Sequence, residues 1–243
     1  MGTRLVSQRR GKGGFTFKAQ RKNAFKSEYI SLSKADAIQT TKGEITNIIR
    51  ESGRTNVLIE VLFKIQNKMI KSYYIAPEGV YIGDKIEHGE KATIKVGNIL
   101  PLKSVPEGCP IFDIEASPGD GGKYIKGTGL YGLMVSKDKK RAFVKMPSGK
   151  TKVFPINSRA TIGCSAGGER EEKPFVKAGN KFKKMKSKSR KYSRTRGVAM
   201  NAVSHPFGGQ QHHAGKSKST SKGAPPGRKV GSVGSRRTGR RKK

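Results

Sequence analysis

All 17 acidic side chains of this chain lie between Glu28 and Glu172, and that placement limits what the chain can fold into. Residues 1–26 hold 8 Lys and Arg, residues 173–243 hold 22, and neither stretch holds an acid. The stretch between them holds 22 basic and 17 acidic residues. A basic segment without a periodic apolar face cannot bury enough surface to offset its ordering entropy. Two basic arms therefore flank one folded middle, and the arms should stay disordered until they meet an anion. The net charge of +35 singles out a polyanion as partner. Hydrophobic residues are 33% of the chain and concentrate in the middle, so the core is confined there.

The middle reads as β. Val57, Ile59, Val61, Phe63 and Ile65 alternate on one face of a strand, with Glu60 and Lys64 opposite and Leu58 and Leu62 half-buried. Further strands are expected at Ile45–Ile49, Met69–Ile75, Val80–Ile82 and Ala92–Val96, separated by turn clusters such as Ser52-Gly53 and Pro77-Glu78-Gly79. Residues 27–96 thus form a small closed barrel. Residues 97–172 repeat the style, with strands at Ile111–Glu115, Leu130–Val135, Arg141–Met146, Thr151–Phe154 and Ala160–Gly163. No amphipathic helix separates these strands, which excludes a parallel α/β sheet. Each barrel holds about 70 residues, marginal for independent stability, so the two should pack together. In the tail a short helix fits near 176–186, and 215–243 has no means of forming a core.

Few residues point to other chemistry. Cys109 and Cys164 form no CxxC, so a disulfide framework or a Cys-rich zinc site is excluded, and two buried reduced thiols are expected. Gly127-Thr128-Gly129-Leu130-Tyr131-Gly132 matches GxGxxG, but β-like residues follow it where a dinucleotide site needs a helix. A close backbone approach or a bulge explains those glycines better. His88, beside Gly89, reads as a solvated turn residue, and adjacent His212 and His213 make no closed metal site. No apolar run approaches ~18 residues, and the basic N-terminus lacks the apolar stretch of a secretory signal. Thirty basic residues in the two arms far exceed a localisation signal, and phosphate neutralisation explains them.

One stretch of the tail stands apart. Arg196 to Gly209, RGVAMNAVSHPFGG, places apolar residues, a proline and paired glycines inside a basic segment. It reads either as a packing motif that anchors the tail or as a turn whose backbone approaches RNA, with Asn201 and His205 offering specific hydrogen bonds. Phe15, Phe17, Tyr192 and Phe207 are candidates for stacking on exposed bases, at ~1–3 kcal/mol each. A DNA-compacting protein is the competing class, separated by sequence-independent duplex binding. An RNA-acting enzyme ranks last, because the arms hold no acid and the middle shows no paired-carboxylate motif.

The string at 196–209 resembles the signature of the universal large-subunit ribosomal protein two (L-two) family, in its archaeal/eukaryotic form. Ser7–Gly13, Ile75–Gly79, Gly97–Leu102, Pro106–Gly108, Pro118–Lys123, Lys145–Gly149, Ala224–Gly231 and Arg236–Arg240 fall in that family's order, and the match covers nearly the whole chain. The resemblance implies an all-β protein: an OB-fold barrel followed by an SH3-like barrel, with basic extensions that thread ribosomal RNA. It implies a structural, non-enzymatic constituent of the cytoplasmic ribosome, without cofactor or metal. Such a protein would bind large-subunit rRNA near the peptidyl transferase centre, contact neighbouring ribosomal proteins and support joining of the small subunit; no membrane is involved. The RNA-binding residues expected are Arg9 and Arg10 in the first arm, and Lys71 and Lys126 in the two barrels. In the tail they are Arg194, Arg196, Asn201, His205, Gly208, Gly209, Arg228, Arg236 and Arg237. Ser204 stands where the family usually has an acid, so it would orient His205 only as a neutral hydrogen-bond partner. Gln210-Gln211 also departs from the family's glycines.

Overall fold

The computed structural model describes residues 3–18, 24–31, 40–65, 68–170, 172–209 and 218–239. Two compact units emerge, Arg21–Pro174 and a second that joins Met1–Gln20 to Phe175–Lys243.

The Arg21–Pro174 unit is all-β. Its strands are β1 (Thr41–Arg50), β2 (Val57–Ile65), β3 (Lys68–Ile75), β4 (Lys85–His88), β5 (Ile99–Pro101), β6 (Pro110–Phe112), β7 (Gly132–Lys137), β8 (Arg141–Lys145), β9 (Thr151–Pro155) and β10 (Arg159–Ile162). They form one sheet in the order β3-β2-β1-β4-β5-β10-β6-β7-β8-β9. Neighbours are antiparallel except β4 and β5, which meet in parallel at His88 and Ile99. Gly43 of β1 lies under Val61 and Phe63 of β2, where any Cβ would sit 2.7 Å from their side chains. That close approach lets β1 cross the first core.

Two apolar clusters fill the sheet. Ile45, Ile59, Val61, Phe63, Tyr74, Ile86 and Ile99 form one, and Leu100, Leu102, Ile111, Phe112, Met134, Val144 and Phe154 belong to the other. Full burial of each large side chain contributes about 1.5–3 kcal/mol. Leu58 is fully buried in the second cluster, not half-buried, because β2 is covered on both faces.

Three expectations fail here. Val80–Ile82 is a turn: Asp84 Oδ2 accepts the Tyr81 N–H at 2.8 Å, Gly83 takes a positive φ of 93°, and Tyr81 and Ile82 stay exposed. The strand lies just beyond it, at β4. Ala92–Val96 is a loop, because Thr93 N and Oγ1 both donate to Glu87 Oε2 at 2.8 Å and Asn98 Nδ2 donates to Thr93 O at 2.9 Å. His88 is fully buried, since pairing with Thr41 of β1 carries its ring inward beside Tyr29 and Phe63.

A buried polar network holds this interior. Arg159 Nη2 meets Glu115 Oε1 at 2.6 Å, and Arg159 Nη1 donates to Ile30 O at 2.8 Å and reaches His88 Nε2 at 3.1 Å. Burial and the Arg159 charge push His88 down to about 3, so its ring is neutral and Nε2 can accept. Tyr29 Oη donates to Asp113 O at 2.7 Å and lies 2.6 Å from Thr161 Oγ1. Lys126 Nζ lies 3.1 Å from Asp113 Oδ1 and donates to Ser27 O at 3.1 Å and Gly122 O at 2.9 Å. Burial pushes the Asp113 carboxyl up to about 6, with Lys126 pulling the other way. Both cysteines are free and half-buried, not fully buried.

The second unit has no comparable interior. It contains α1 (Val6–Arg10), α2 (Ala178–Ser187), a 3-10 turn (Gly197–Ala199) and a parallel pair, β11 (Ser219–Thr220) and β12 (Ser232–Val233). Among its described residues only Leu5 is buried. The described parts of both arms are nonetheless folded locally, contrary to expectation, because short-range bonds close their turns. Gln8 Oε1 accepts the Leu5 N–H ahead of α1 at 2.9 Å. At the end of α2, Ser189 takes a φ of 54°, its N–H reaching Lys186 O at 3.0 Å and the Arg190 N–H reaching Met185 O at 2.9 Å. These bonds cap two of the last helical carbonyls and turn the chain back. The two arms also meet: Ser189 Oγ donates to Lys18 O at 2.8 Å, and Thr3 Oγ1 to Ser204 Oγ at 3.4 Å.

Candidate nucleic-acid interface

The tail loop is shaped by its glycines and its histidine. Ser204 N and His205 N donate to Asn201 O at 2.9 and 3.1 Å, and Gly209 N donates to Met200 O at 3.1 Å. A Cβ on Gly197 would overlap the His205 ring, and one on Gly208 would overlap the Asn201 and Met200 carbonyls. Gly209, at φ 137°, has open space around it. The Phe207 N–H donates to His205 Nδ1 at 3.0 Å, and the two rings lie 5.3 Å apart. Burial lowers the His205 pKa, and Nδ1 can accept that bond only when unprotonated. The ring is therefore neutral at pH 7 and carries its proton on Nε2. Ser204 does not orient it; the Ser204 hydroxyl faces Thr3, and the backbone of Phe207 does the orienting.

His205, Met200 and Ser204 wall a hollow of about 530 Å³ whose other side is the first arm. Arg4, Arg9, Lys191, Arg194 and Lys229 bring five cations to it. The unit holds 26 Lys and Arg and no acidic side chain, so no carboxylate side chain within it can neutralise them. Arg9, Arg194 and His205, far apart in sequence, are thus gathered at one concavity. Arg196 precedes the 3-10 turn of the same loop, and Asn201 is exposed on it. Arg4, Lys191 and Lys229 are members that sequence reasoning missed; nothing in their local pattern separates them from the other basic residues.

The remaining predicted residues are placed elsewhere. Arg10 turns toward the Phe17 ring, 6.0 Å from its centroid. Arg228, Arg236 and Arg237 are exposed in the last segment and outside the hollow. Lys71 is exposed on β3 with Nζ 2.8 Å from Glu60 Oε1; their hydrogen bond raises the Lys71 pKa and lowers that of Glu60. Lys126 Nζ donates to Ser27 O and Gly122 O and is ion-paired with Asp113, so it serves the interior of its own unit. His212, His213, Gln210, Gln211 and Arg240 lie outside the described residues. Among the described residues no group of three or more His, Cys, Asp or Glu could hold a metal, and no helix is long and apolar enough to cross a membrane. The GxGxxG glycines serve close packing: a Cβ on Gly129 would strike Gly168, and one on Gly132 would sit 2.6 Å from Ile125.

The second unit holds 26 Lys and Arg and no acidic side chain, and known proteins are similar to the chain in sequence. A profile described as Ribosomal Proteins L2, C-terminal domain, matches residues 95–228. The large ribosomal subunit protein uL2 of Archaeoglobus fulgidus is 48% identical over 243 residues, covering all of both chains. This chain belongs to the L2 family of ribosomal proteins. L2 proteins of two other archaea agree. That of Halorubrum lacusprofundi is 48% identical over 241 residues, 99% of this chain and 98% of its own. That of Methanocaldococcus jannaschii is 46% identical over 245 residues, covering both chains in full. The L2 resemblance of the 196–209 string is thereby established in its archaeal form, and the family's role is structural, not enzymatic.

Proposed function

We propose that this chain binds and stabilises large-subunit rRNA near the peptidyl transferase centre, and supports subunit association and translation from within the large ribosomal subunit. The observation that carries this reading is the second unit, whose sequence holds 26 Lys and Arg and no acid and whose described residues bury one leucine. Neither burial nor internal ion pairing offsets such self-repulsion, whereas phosphates would, with release of counterions. The tail loop supplies what phosphate contacts lack: the neutral His205 ring, the Asn201 amide and the open backbone at Gly209, all suited to RNA bases and sugars. In the other unit, we read 27–96 as an OB-fold barrel and 97–172 as an SH3-like barrel that present folded RNA with shape and charge. Residues 1–26 and 173–243 are then the RNA-threading segments. Neighbouring ribosomal proteins and the small subunit are the further partners of this reading.

Crosslinking in cells, followed by sequencing of the attached RNA and sedimentation of the complex, tests it. A few sharp footprints in large-subunit rRNA that co-sediment with ribosomes are expected. Diffuse crosslinks, or retention on DNA after RNase treatment, would replace this reading with a general nucleic-acid packer.

A further inference from the structure

We propose that the second unit holds a pocket for one unstacked RNA base and its phosphate, walled by Phe15, Phe182 and Tyr192 and rimmed by Lys18, Lys186 and Arg190. The inference rests on the RNA-binding reading above and names the chemical group taken at a place that reading leaves unassigned.

The hollow is about 460 Å³, within the ~300–1,000 Å³ range of small-ligand sites. Its walls are aromatic and wet: Phe15 is 90% exposed and Phe182 51% exposed. Rings this open contribute little to the unit's own packing. The backbone that carries Phe15 and Tyr192 is nonetheless tied down. Ser189 Oγ fastens the Phe15–Lys18 turn through Lys18 O, and the left-handed backbone at Ser189 folds Arg190–Tyr192 back toward α2. Lys181 Nζ lies 5.4 Å from the centroid of the Tyr192 ring. Phe17 likewise has Arg10 beside its ring and Phe207 has His205, and neither of those two rings lines the hollow.

The occupant follows from the chemistry of wall and rim. Three rings ask for a flat apolar group. Four cations, Lys191 being the fourth, with no acidic side chain in their unit, ask for an anion beside it. An apolar peptide would leave the cations unmatched, and an acidic peptide would leave the rings unmatched. A nucleotide brings both groups on one residue. Its base must be out of a helix, because a stacked base offers no free face; a bulge, loop or flipped nucleotide of the RNA qualifies.

The test titrates the full-length chain with deproteinised archaeal large-subunit rRNA across a salt series. Phe15→Leu combined with Phe182→Leu keeps the apolar volume and removes the π faces. It is expected to weaken binding about tenfold or more at every salt concentration while leaving the slope of log Kd on log salt unchanged. Lys186→Gln combined with Arg190→Gln is expected to lower that slope by about 1 to 2. Ultraviolet crosslinking of the parent complex should leave a mononucleotide on a peptide carrying Phe15, Phe182 or Tyr192. The pocket is refuted if the Leu pair binds rRNA as the parent does, or if it weakens fully paired duplex RNA equally. Failure of the parent chain to bind rRNA at all would instead overturn the RNA reading itself. Because Phe15 is so exposed, Phe15→Leu alone serves as a variant that cannot disturb packing, and a loss of affinity with unchanged circular dichroism isolates the stacking contact.

Discussion

Replacing Lys126 with Met tests whether this lysine serves the interior or the surface. Asp113 is almost fully buried at the end of β6, and Lys126 Nζ is 3.1 Å from its Oδ1. At that separation two unit charges attract by about 5 kcal/mol at an effective dielectric constant near 20. Losing one partner of a buried pair costs about 3–5 kcal/mol, because the other charge is stranded. Asp113 can escape that cost by taking up a proton, which makes the effect depend on pH. Its folded pKa is already about 6, above the model-compound value of 3.8, and loss of the cation raises it further. A carboxyl whose folded pKa is raised contributes stability that is present below its unfolded pKa and lost as pH rises through the folded one. Below about 6 the parent and Lys126→Met both hold the protonated acid, so their difference reduces to the two donations to Ser27 O and Gly122 O. Those are worth about 1–3 kcal/mol together. Above about 6 the deficit widens to roughly 3–5 kcal/mol and then levels off. Urea unfolding at pH 5 and pH 8, followed by tyrosine fluorescence in this Trp-free chain, measures both. Equal destabilisation at the two pH values would refute the account, as would a pH 8 loss under about 1 kcal/mol. Adding Asp113→Asn to Lys126→Met should restore most of the pH 8 loss, since Asn tolerates the φ of 50° at that position.

Three further outcomes follow from the geometry. Gly122→Ala is expected to destabilise by about 3 kcal/mol or more, because φ is 86° and the new Cβ strikes Asp113; a thermal melt of the full chain checks it. Tyr29→Phe removes the bond to Asp113 O and the contact with Thr161, and should cost about 1–3 kcal/mol in urea unfolding; an unchanged midpoint would show that the hydroxyl is dispensable. Gly197→Ala and His205→Ala should each weaken rRNA binding while leaving the unfolding transition of the β unit in place, the first by wedging the ring aside and the second by removing it. Unfolding of the β unit by either change would contradict the assignment of the tail loop to the other unit.

The legible parts of this protein are those that depend on chain neighbours. The alternation over Val57–Ile65 appears as β2, the turn at Pro147–Lys150 joins β8 to β9, and α2 lies within two residues of the expected helix. Periodicity and turn chemistry act over a few residues, so a linear reading detects them. His88 was not legible. The pair His88-Gly89 has the composition of a solvated turn, yet pairing with β1 buries the ring, and its partner Arg159 lies 71 residues away. Lys126 carries a charge that reads as surface until Asp113 and Ser27 converge on it.

The same division holds for the nucleic-acid surface. Charge is additive along the chain, so the acid-free arms alone point to a polyanion, and the order of motifs points to the family that its relatives show. Which cations share a hollow is a matter of long-range contact: Arg9 and Arg194 meet at His205, and Phe15 meets Phe182, only because the two ends of the chain fold together. A side chain's type and charge belong to the residue and survive in any conformation. Its burial, its protonation and its neighbours are set by groups that the backbone brings in from elsewhere, and no local pattern encodes them.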